Sequence, residues 1–330
     1  MKTINLCQFG AGRIGVIHAG NAARHPRAKL LYVVDVDEKR ARAVAEPYGA
    51  RVAGAEAALA DSRVDAVIIA SSSDTHCRLI EAASRAGKAI FCEKPIDLDV
   101  KRVDAAIAVV AKAGVPFMVG FNRRFDPSFA ALHERVRSGA VGAVELVAIT
   151  SRDPAPPPIE AVRTSGGLFR DMMIHDFDMA CWLMAEEPVE VFAAASSLVD
   201  PEIARAGDVD TAVVTLKTAR GALCQISNSR RAAYGYDQRL EVFGSKGMAR
   251  AINPTPTTVE LSTEIGVTTD KLFHFFLERY AEAYRRELDT FLDCVATGVA
   301  PRPGAADGRR ALVLADAAEV SARSGKTVRV

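Results

Sequence analysis

The chain opens on an apolar run, residues 4–9, that leads straight into Gly10-Ala11-Gly12-Arg13-Ile14-Gly15 and then a helix-like stretch. A second apolar run, Leu30-Leu31-Tyr32-Val33-Val34, ends at Asp35, twenty positions beyond Gly15. Strand, glycine turn, helix, strand and acid in that order are the context of a dinucleotide-binding unit. Gly10 permits the tight turn, Gly12 lets a pyrophosphate approach the backbone, and Gly15 lets helix and strand pack closely. The helix start, with Arg13 and Ile14 in its first turn, offers N–H groups and partial positive charge to phosphates. Asp35 is placed to accept from ribose hydroxyls and to repel a 2′-phosphate, with no arginine directly beside it, so the expected cofactor is NAD rather than NADP.

With 330 residues the chain can hold two domains with proper cores. Its 42 basic and 41 acidic residues nearly cancel, so nothing global directs it to nucleic acid or an anionic membrane. No apolar run reaches the ~20 residues that span a bilayer. Met1-Lys2-Thr3 runs into a strand, which leaves no space for a signal peptide. The scattered Cys7, Cys77, Cys92, Cys181, Cys224 and Cys294 form no C-x-x-C pair and read as reduced, mostly buried thiols of a cytoplasmic protein. No metal site is indicated.

Short apolar runs at 3–10, 29–36, 65–71, 89–93 and 116–121 alternate with helix-length segments such as 13–25, 75–86 and 99–113. That alternation predicts an α/β fold, a parallel doubly wound sheet covered on both faces, over residues 1–121. Ligands of such sheets lie outside the strand carboxyl ends, where Ser71-Ser72-Ser73-Asp74-Thr75-His76 and Glu93-Lys94-Pro95 fall. From 122 to 330 the pattern changes. Strand-like runs at 144–151, 189–197, 210–217, 221–228 and 238–244 follow one another with turns between, and helices follow near 275–296 and 305–323. This half reads as an α+β domain with an open, mostly antiparallel sheet. The stretch Asp153-Pro154-Ala155-Pro156-Pro157-Pro158 reads as a surface loop and candidate lid.

At ~100° per residue, Asp171, His175 and Asp178 share a stripe of a helix whose remaining faces are almost wholly apolar. Carboxylates and an imidazole on a buried helix cost several kcal/mol unless paired or used. A structural Asp–His–Asp anchor is the alternative to a catalytic group. Lys94 closes a strand, held extended by the following proline, where partial desolvation can lower a lysine pKa. Its alternative is a solvated strand-end lysine. Oxidation of an alcohol needs an aimed C–H, a base for the O–H proton and donors for the developing alkoxide. His175 suits the base, Lys94 the alkoxide contact, and Asp171 can hold either cation or bind a neighbouring hydroxyl. Each half supplies only part of this set, which leads to the expectation of catalysis at the domain interface. Arg123 and Arg124 can present a guanidinium to a polyol or be salt-bridged. Tyr236 can donate a hydroxyl or pack in the core. His18 reads as packed rather than catalytic, and His25, His133 and His274 carry no pattern.

These elements together resemble the Gfo/Idh/MocA oxidoreductase family over essentially the whole chain. The resemblance rests on the glycine turn, Asp35, Thr75-His76, Glu93-Lys94-Pro95, Gly120-Phe121-Asn122-Arg123-Arg124-Phe125, Gly166-Gly167 through Asp171 to His175-Asp176, and Gly244-Ser245-Lys246-Gly247. It implies an NAD-binding Rossmann domain, an α/β domain that builds homo-oligomers (dimers or tetramers) through its sheet, and a Lys94 that touches both cofactor and substrate. Cofactor contacts are then expected from Gly10, Gly12, Arg13, Ile14, Gly15, Asp35, Ser71, Ser73, Thr75, His76, Glu93 and Lys94. Within the family, Tyr234-Gly235-Tyr236-Asp237-Gln238-Arg239 beside Asp171 and His175 is similar to the inositol-oxidising branch. That likeness implies oxidation of the axial hydroxyl of myo-inositol to scyllo-inosose. His175 is then the acid/base, Lys94 and Asp171 are catalytic, and Arg123 or Arg124, Asp153 and Tyr236 are further substrate contacts. The prolines after Asp153 depart from the family in a region that borders the site. Oxidation of scyllo-inositol or a hexose, and a cofactor-binding sensor without turnover, stay open beside the leading reading.

Overall fold

The computed structural model describes residues 3–330. Contacts divide the chain into two compact units: residues up to Asn122 together with Tyr284–Leu312, and Arg123–Ala283 together with Val313–Val330. The stretch Tyr284–Leu312 thus joins the first unit although it lies in the second half of the chain.

The first unit is built from β1 (Ile4–Phe9), α1 (Arg13–Arg24), β2 (Ala28–Val34), α2 (Glu38–Ala45), β3 (Arg51–Val52), α3 (Ala55–Ala60), β4 (Ala66–Ile69), α4 (Ser73–Arg85), β5 (Ala89–Glu93), α5 (Val100–Ala113) and β6 (Phe117–Gly120). The strands pair in parallel in the order β3-β2-β1-β4-β5-β6. Every residue of β4 and β5 is buried, as expected for strands covered on both faces. Two of its helices start where an aspartate satisfies their first N–H groups: Asp37 accepts from Lys39 and Arg40 ahead of α2, and Asp99 accepts from Lys101 ahead of α5. Ile80, Ala83 and Ser84 form the inward face of α4.

The second unit contains α6 (Pro127–Arg137), β7 (Val144–Arg152), α7 (Ile159–Thr164), α8 (Ile174–Met184), β8 (Pro188–Ser196), α9 (Pro201–Arg205), β9 (Thr211–Thr218), β10 (Leu223–Ser229), β11 (Asp237–Gly244), β12 (Gly247–Ala251), β13 (Glu260–Thr263), β14 (Gly266–Thr269) and α10 (Phe276–Arg279). After these come α11 (Ala281–Thr297), α12 (Ala305–Ser324) and β15 (Val328–Arg329). Its seven-stranded sheet runs β12-β11-β7-β10-β9-β8-β15. All neighbours are antiparallel except β7 and β10, which pair in parallel although far apart in sequence. Alternate residues of β9 are buried and exposed, so one face is packed and the other open. The exposed β13–β14 hairpin lies where the sequence pattern shows no strand.

Among the described residues no helix is long and apolar enough to cross a membrane. All six cysteines are buried thiols.

Candidate active site

The cofactor cradle of the first unit is made mainly of backbone. Gly10 has φ +100°, and a Cβ there would lie 2.3 Å from the Ala70 carbonyl oxygen. A Cβ on Gly15 would lie 2.3 Å from the Gly10 carbonyl oxygen. Both glycines are required by the close packing of β1, β4 and α1. At Gly12 an added Cβ meets nothing within 4 Å among the described residues. The loop is open where a pyrophosphate would approach, and no side chain caps the α1 N-terminus. This arrangement fits a dinucleotide.

Asp35 is tied to the same loop: one oxygen accepts from the Ala11 N–H at 2.7 Å and the other from the Asp37 N–H at 2.9 Å. The carboxylate therefore holds the turn as well as standing at the end of β2.

The other predicted cofactor residues divide into two groups. Arg13 is exposed, and Ile14, Ser71, Ser73, Thr75 and Lys94 are partly exposed. The hydroxyls of Ser71 and Thr75 lie 2.6 Å apart. His76 and Glu93 are buried. The His76 ring sets Nδ1 2.8 Å from the Pro95 carbonyl and Nε2 3.1 Å from the Ser71 carbonyl, so it braces the loops after β4 and β5. Burial holds its pKa below the ordinary imidazole value, against the two carbonyl contacts that raise it. Glu93 meets His18, whose Nε2 lies 2.7 Å from Glu93 Oε1. Next in the chain, the Lys94–Pro95 bond is cis.

In the second unit the segment around His175 is not one uniform helix. Leu168–Met172 is a π turn, closed by the Met173 N–H to the Leu168 carbonyl at 2.9 Å, and α8 begins only at Ile174. The expected stripe of Asp171, His175 and Asp178 assumes 3.6 residues per turn throughout, and the wider π turn breaks that assumption. Asp178 is a structural partner instead. It is buried and accepts from Arg124 Nε at 2.8 Å, with Arg124 Nη2 on its other oxygen. Asp176, also buried, accepts from Arg123 and, at 2.9 Å, from the Asn228 amide. Arg123 further donates to Ser151 at 3.0 Å. The arginine pair thus clamps α8 from the short helical turn Asn122–Phe125.

Asp171 and His175, by contrast, keep partial exposure. Beside Asp171 stands Arg230, which the sequence reading did not single out. Its side chain is 2 % exposed, its Nη2 lies 3.8 Å from Asp171 Oδ2, and neither Nε nor Nη2 has a hydrogen-bond partner among the described residues. Nothing in the sequence marks Arg230, because Ser229-Arg230-Arg231 looks like a solvated strand end. Asp153 belongs to the same group. Burial raises its pKa to about 6, against the Arg230 and Arg123 charges that lower it. Tyr236 is buried edge-on to Tyr280, ring centroids 5.8 Å apart, and burial drives its pKa well up. Tyr234 is exposed and donates to Asp237 at 2.7 Å. Two carboxylates sharing a guanidinium with unmet donors suit a ligand rich in hydroxyl groups, which both accept and donate hydrogen bonds.

Fold and cradle together define a two-domain oxidoreductase that binds NAD through a Rossmann unit. Residues 4–121 match the oxidoreductase family model of the NAD-binding Rossmann fold, and residues 129–250 match the GFO/IDH/MocA C-terminal domain. The chain belongs to the GFO/IDH/MocA oxidoreductase family. It is 50% identical over 316 residues to the inositol 2-dehydrogenase of Rhizobium meliloti (strain 1021), covering 96% of each chain. It is 49% identical over 324 residues to the myo-inositol 2-dehydrogenase of Thermotoga maritima, covering 98% of this chain and 97% of that one. A scyllo-inositol dehydrogenase from Lactobacillus casei, solved with NAD(H) and scyllo-inositol bound, superposes with a TM-score of 0.93 at 30% identity over 99% of both chains.

Proposed function

We propose that the protein oxidises a secondary hydroxyl of a cyclic polyol to a ketone, with myo-inositol converted to scyllo-inosose. The observation that carries this reading is the second unit's cluster of Asp153, Asp171 and Arg230, with the partly exposed His175 four residues along the chain from Asp171. The full-length likeness to relatives named for inositol oxidation supports it.

NAD, when bound, supplies the hydride acceptor. His175 takes the proton from the reacting hydroxyl, as an imidazole can near neutral pH. Lys94 donates to the same oxygen and stabilises its developing negative charge. Asp171 and Asp153 accept from neighbouring hydroxyls, with Arg230 as their counter-charge, while Arg123 and Tyr236 shape the rest of the substrate contact. Both arginines are closed in buried ion pairs, Arg124 with Asp178 and Arg123 with Asp176, so their part is to fix α8 and the wall beside the substrate.

The protein further acts as a homo-oligomer, a dimer or tetramer, through the open sheet face, and it works in the cytoplasm. Leu223, Leu146, Phe243 and Met248 lie side by side across β10, β7, β11 and β12, all exposed. A second copy of this chain covers such a row without leaving polar groups unsatisfied. Six buried thiols suit a reducing compartment.

Purified protein with NAD is tested against myo-inositol, scyllo-inositol and glucose by absorbance of the reduced cofactor. Steady turnover highest on myo-inositol is expected. Higher turnover on either other compound overturns the substrate, and polyol binding without turnover turns the reading into a sensor. Analytical ultracentrifugation of wild type and of Phe243→Lys tests the assembly, and a monomeric wild type would refute it.

A further inference from the structure

The first unit holds a buried acid that the cofactor cradle does not use. Glu287 on α11 is 0 % exposed, and neither of its carboxyl oxygens has a hydrogen-bond partner among the described residues. Native proteins seldom leave such a group unsatisfied, so its position calls for an explanation. Tyr284, one turn before it, and Phe291, one turn after it, share its helix face. The Tyr284 ring stands edge-on to His18, centroids 5.8 Å apart, and the Phe291 ring edge-on to Phe91, also at 5.8 Å. His18 itself packs on Phe91 at 5.0 Å and meets Glu93 at 2.7 Å. These contacts on either side seat residue 287 against the His18–Glu93 pair. Glu93 is in turn confined by β6, since a Cβ on Gly120 would lie 2.9 Å from Glu93 Oε2. The charge that acts on Glu287 is that of Glu93 on β5, which itself meets His18 of α1. Burial, and then the Glu93 charge, push the Glu287 pKa well above the carboxylate range.

We infer that Glu287 is a positioning residue: the proton-carrying member of a buried carboxyl pair with Glu93, which fixes the end of β5 and so the backbone that carries Lys94. A protonated carboxyl is a donor, and it gives the Glu93 carboxylate a partner that an ionised one could not. The same pair, through His18, ties that strand end to α1, the helix whose start faces the phosphates. The kinetic part of this inference rests on the proposed role of Lys94; the protonation part does not.

Infrared spectra of the whole protein at pH 8, wild type against Glu287→Gln, test the protonation. At that pH the Asp153 carboxyl, with its pKa near 6, is ionised and silent in the carboxylic-acid region. A carboxylic-acid C=O band present in wild type and lost in Glu287→Gln is expected. An unchanged spectrum overturns the inference. Kinetics test the positioning. Glu287→Gln keeps a donor toward Glu93 and should retain kcat, whereas Glu287→Leu should lower kcat about tenfold with KM for NAD little changed. A Gln variant as slow as the Leu variant overturns the donor role. If Lys94→Ala is fully active, the Lys94 reading fails while the infrared result still stands.

Discussion

The cofactor cradle and the carboxylate–guanidinium cluster proposed for the substrate are built from opposite materials. The cradle uses backbone: N–H groups at the start of α1, glycines at 10 and 15 where a Cβ would come within 2.3 Å of a carbonyl oxygen, and open space at Gly12. Its shape is over-determined by the sheet. The cluster uses side chains whose charges are balanced against burial, as the raised Asp153 and the unsatisfied Arg230 show. Within the second unit a further contrast appears. Arg123–Asp176 and Arg124–Asp178 are closed, buried ion pairs that fasten α8, whereas Arg230 and Asp171 stand 3.8 Å apart with donors in reserve. Closed pairs give rigidity, and incomplete ones leave capacity for a ligand.

This contrast can be broken at either end. Gly10→Ala should abolish measurable NAD binding and lower the melting temperature, because both φ +100° and the Ala70 carbonyl oppose a Cβ. Calorimetric titration with NAD reads the effect, and wild-type affinity would show that the turn is not the cradle. His175→Ala should lower kcat by ~10²–10⁴-fold while NAD affinity stays near normal. A collapse of NAD affinity instead would make His175 structural. Arg230→Gln removes the counter-charge of Asp153 and Asp171 and should raise polyol KM about tenfold or more, as for loss of a hydrogen bond to a charged group. An unchanged KM would detach Arg230 from the substrate.

The mildest effect is a pH dependence. With its pKa at about 6, Asp153 is an acceptor-only carboxylate above that pH and a neutral acid below it. Polyol KM should therefore rise as pH falls through about 6. The rise should be missing in Asp153→Asn and should begin at higher pH in Arg230→Gln, since the Arg230 charge lowers the Asp153 pKa. A KM that is flat from pH 5 to 8 in wild type removes Asp153 from the substrate contact.

Much of the first unit was legible. Its strands are continuous apolar runs, and local glycine chemistry demands the turn wherever such runs meet it. The site of the second unit was legible only in part. Helical spacing grouped Asp171, His175 and Asp178; the π turn takes Asp171 out of that register, and Asp178 is set apart by its Arg124 partner, which no local pattern shows. Arg230 escaped notice because burial is decided by what packs on a residue, not by its neighbours in sequence. The parallel pairing of β7 with β10 escaped for the same kind of reason: turns report only pairings between adjacent strands.

Local covalent and steric rules, acting over a few residues, therefore sufficed to specify the nucleotide turn, the acid at the end of β2, and the alternation of strands and helices. Tertiary contact alone decided that Tyr284–Leu312 packs with the first unit, that Arg124 is closed off by Asp178, and that Glu287 and Arg230 lie buried with unmet hydrogen-bonding capacity. These outcomes depend on desolvation and charge pairing between residues distant in the chain, and no linear pattern records those distances.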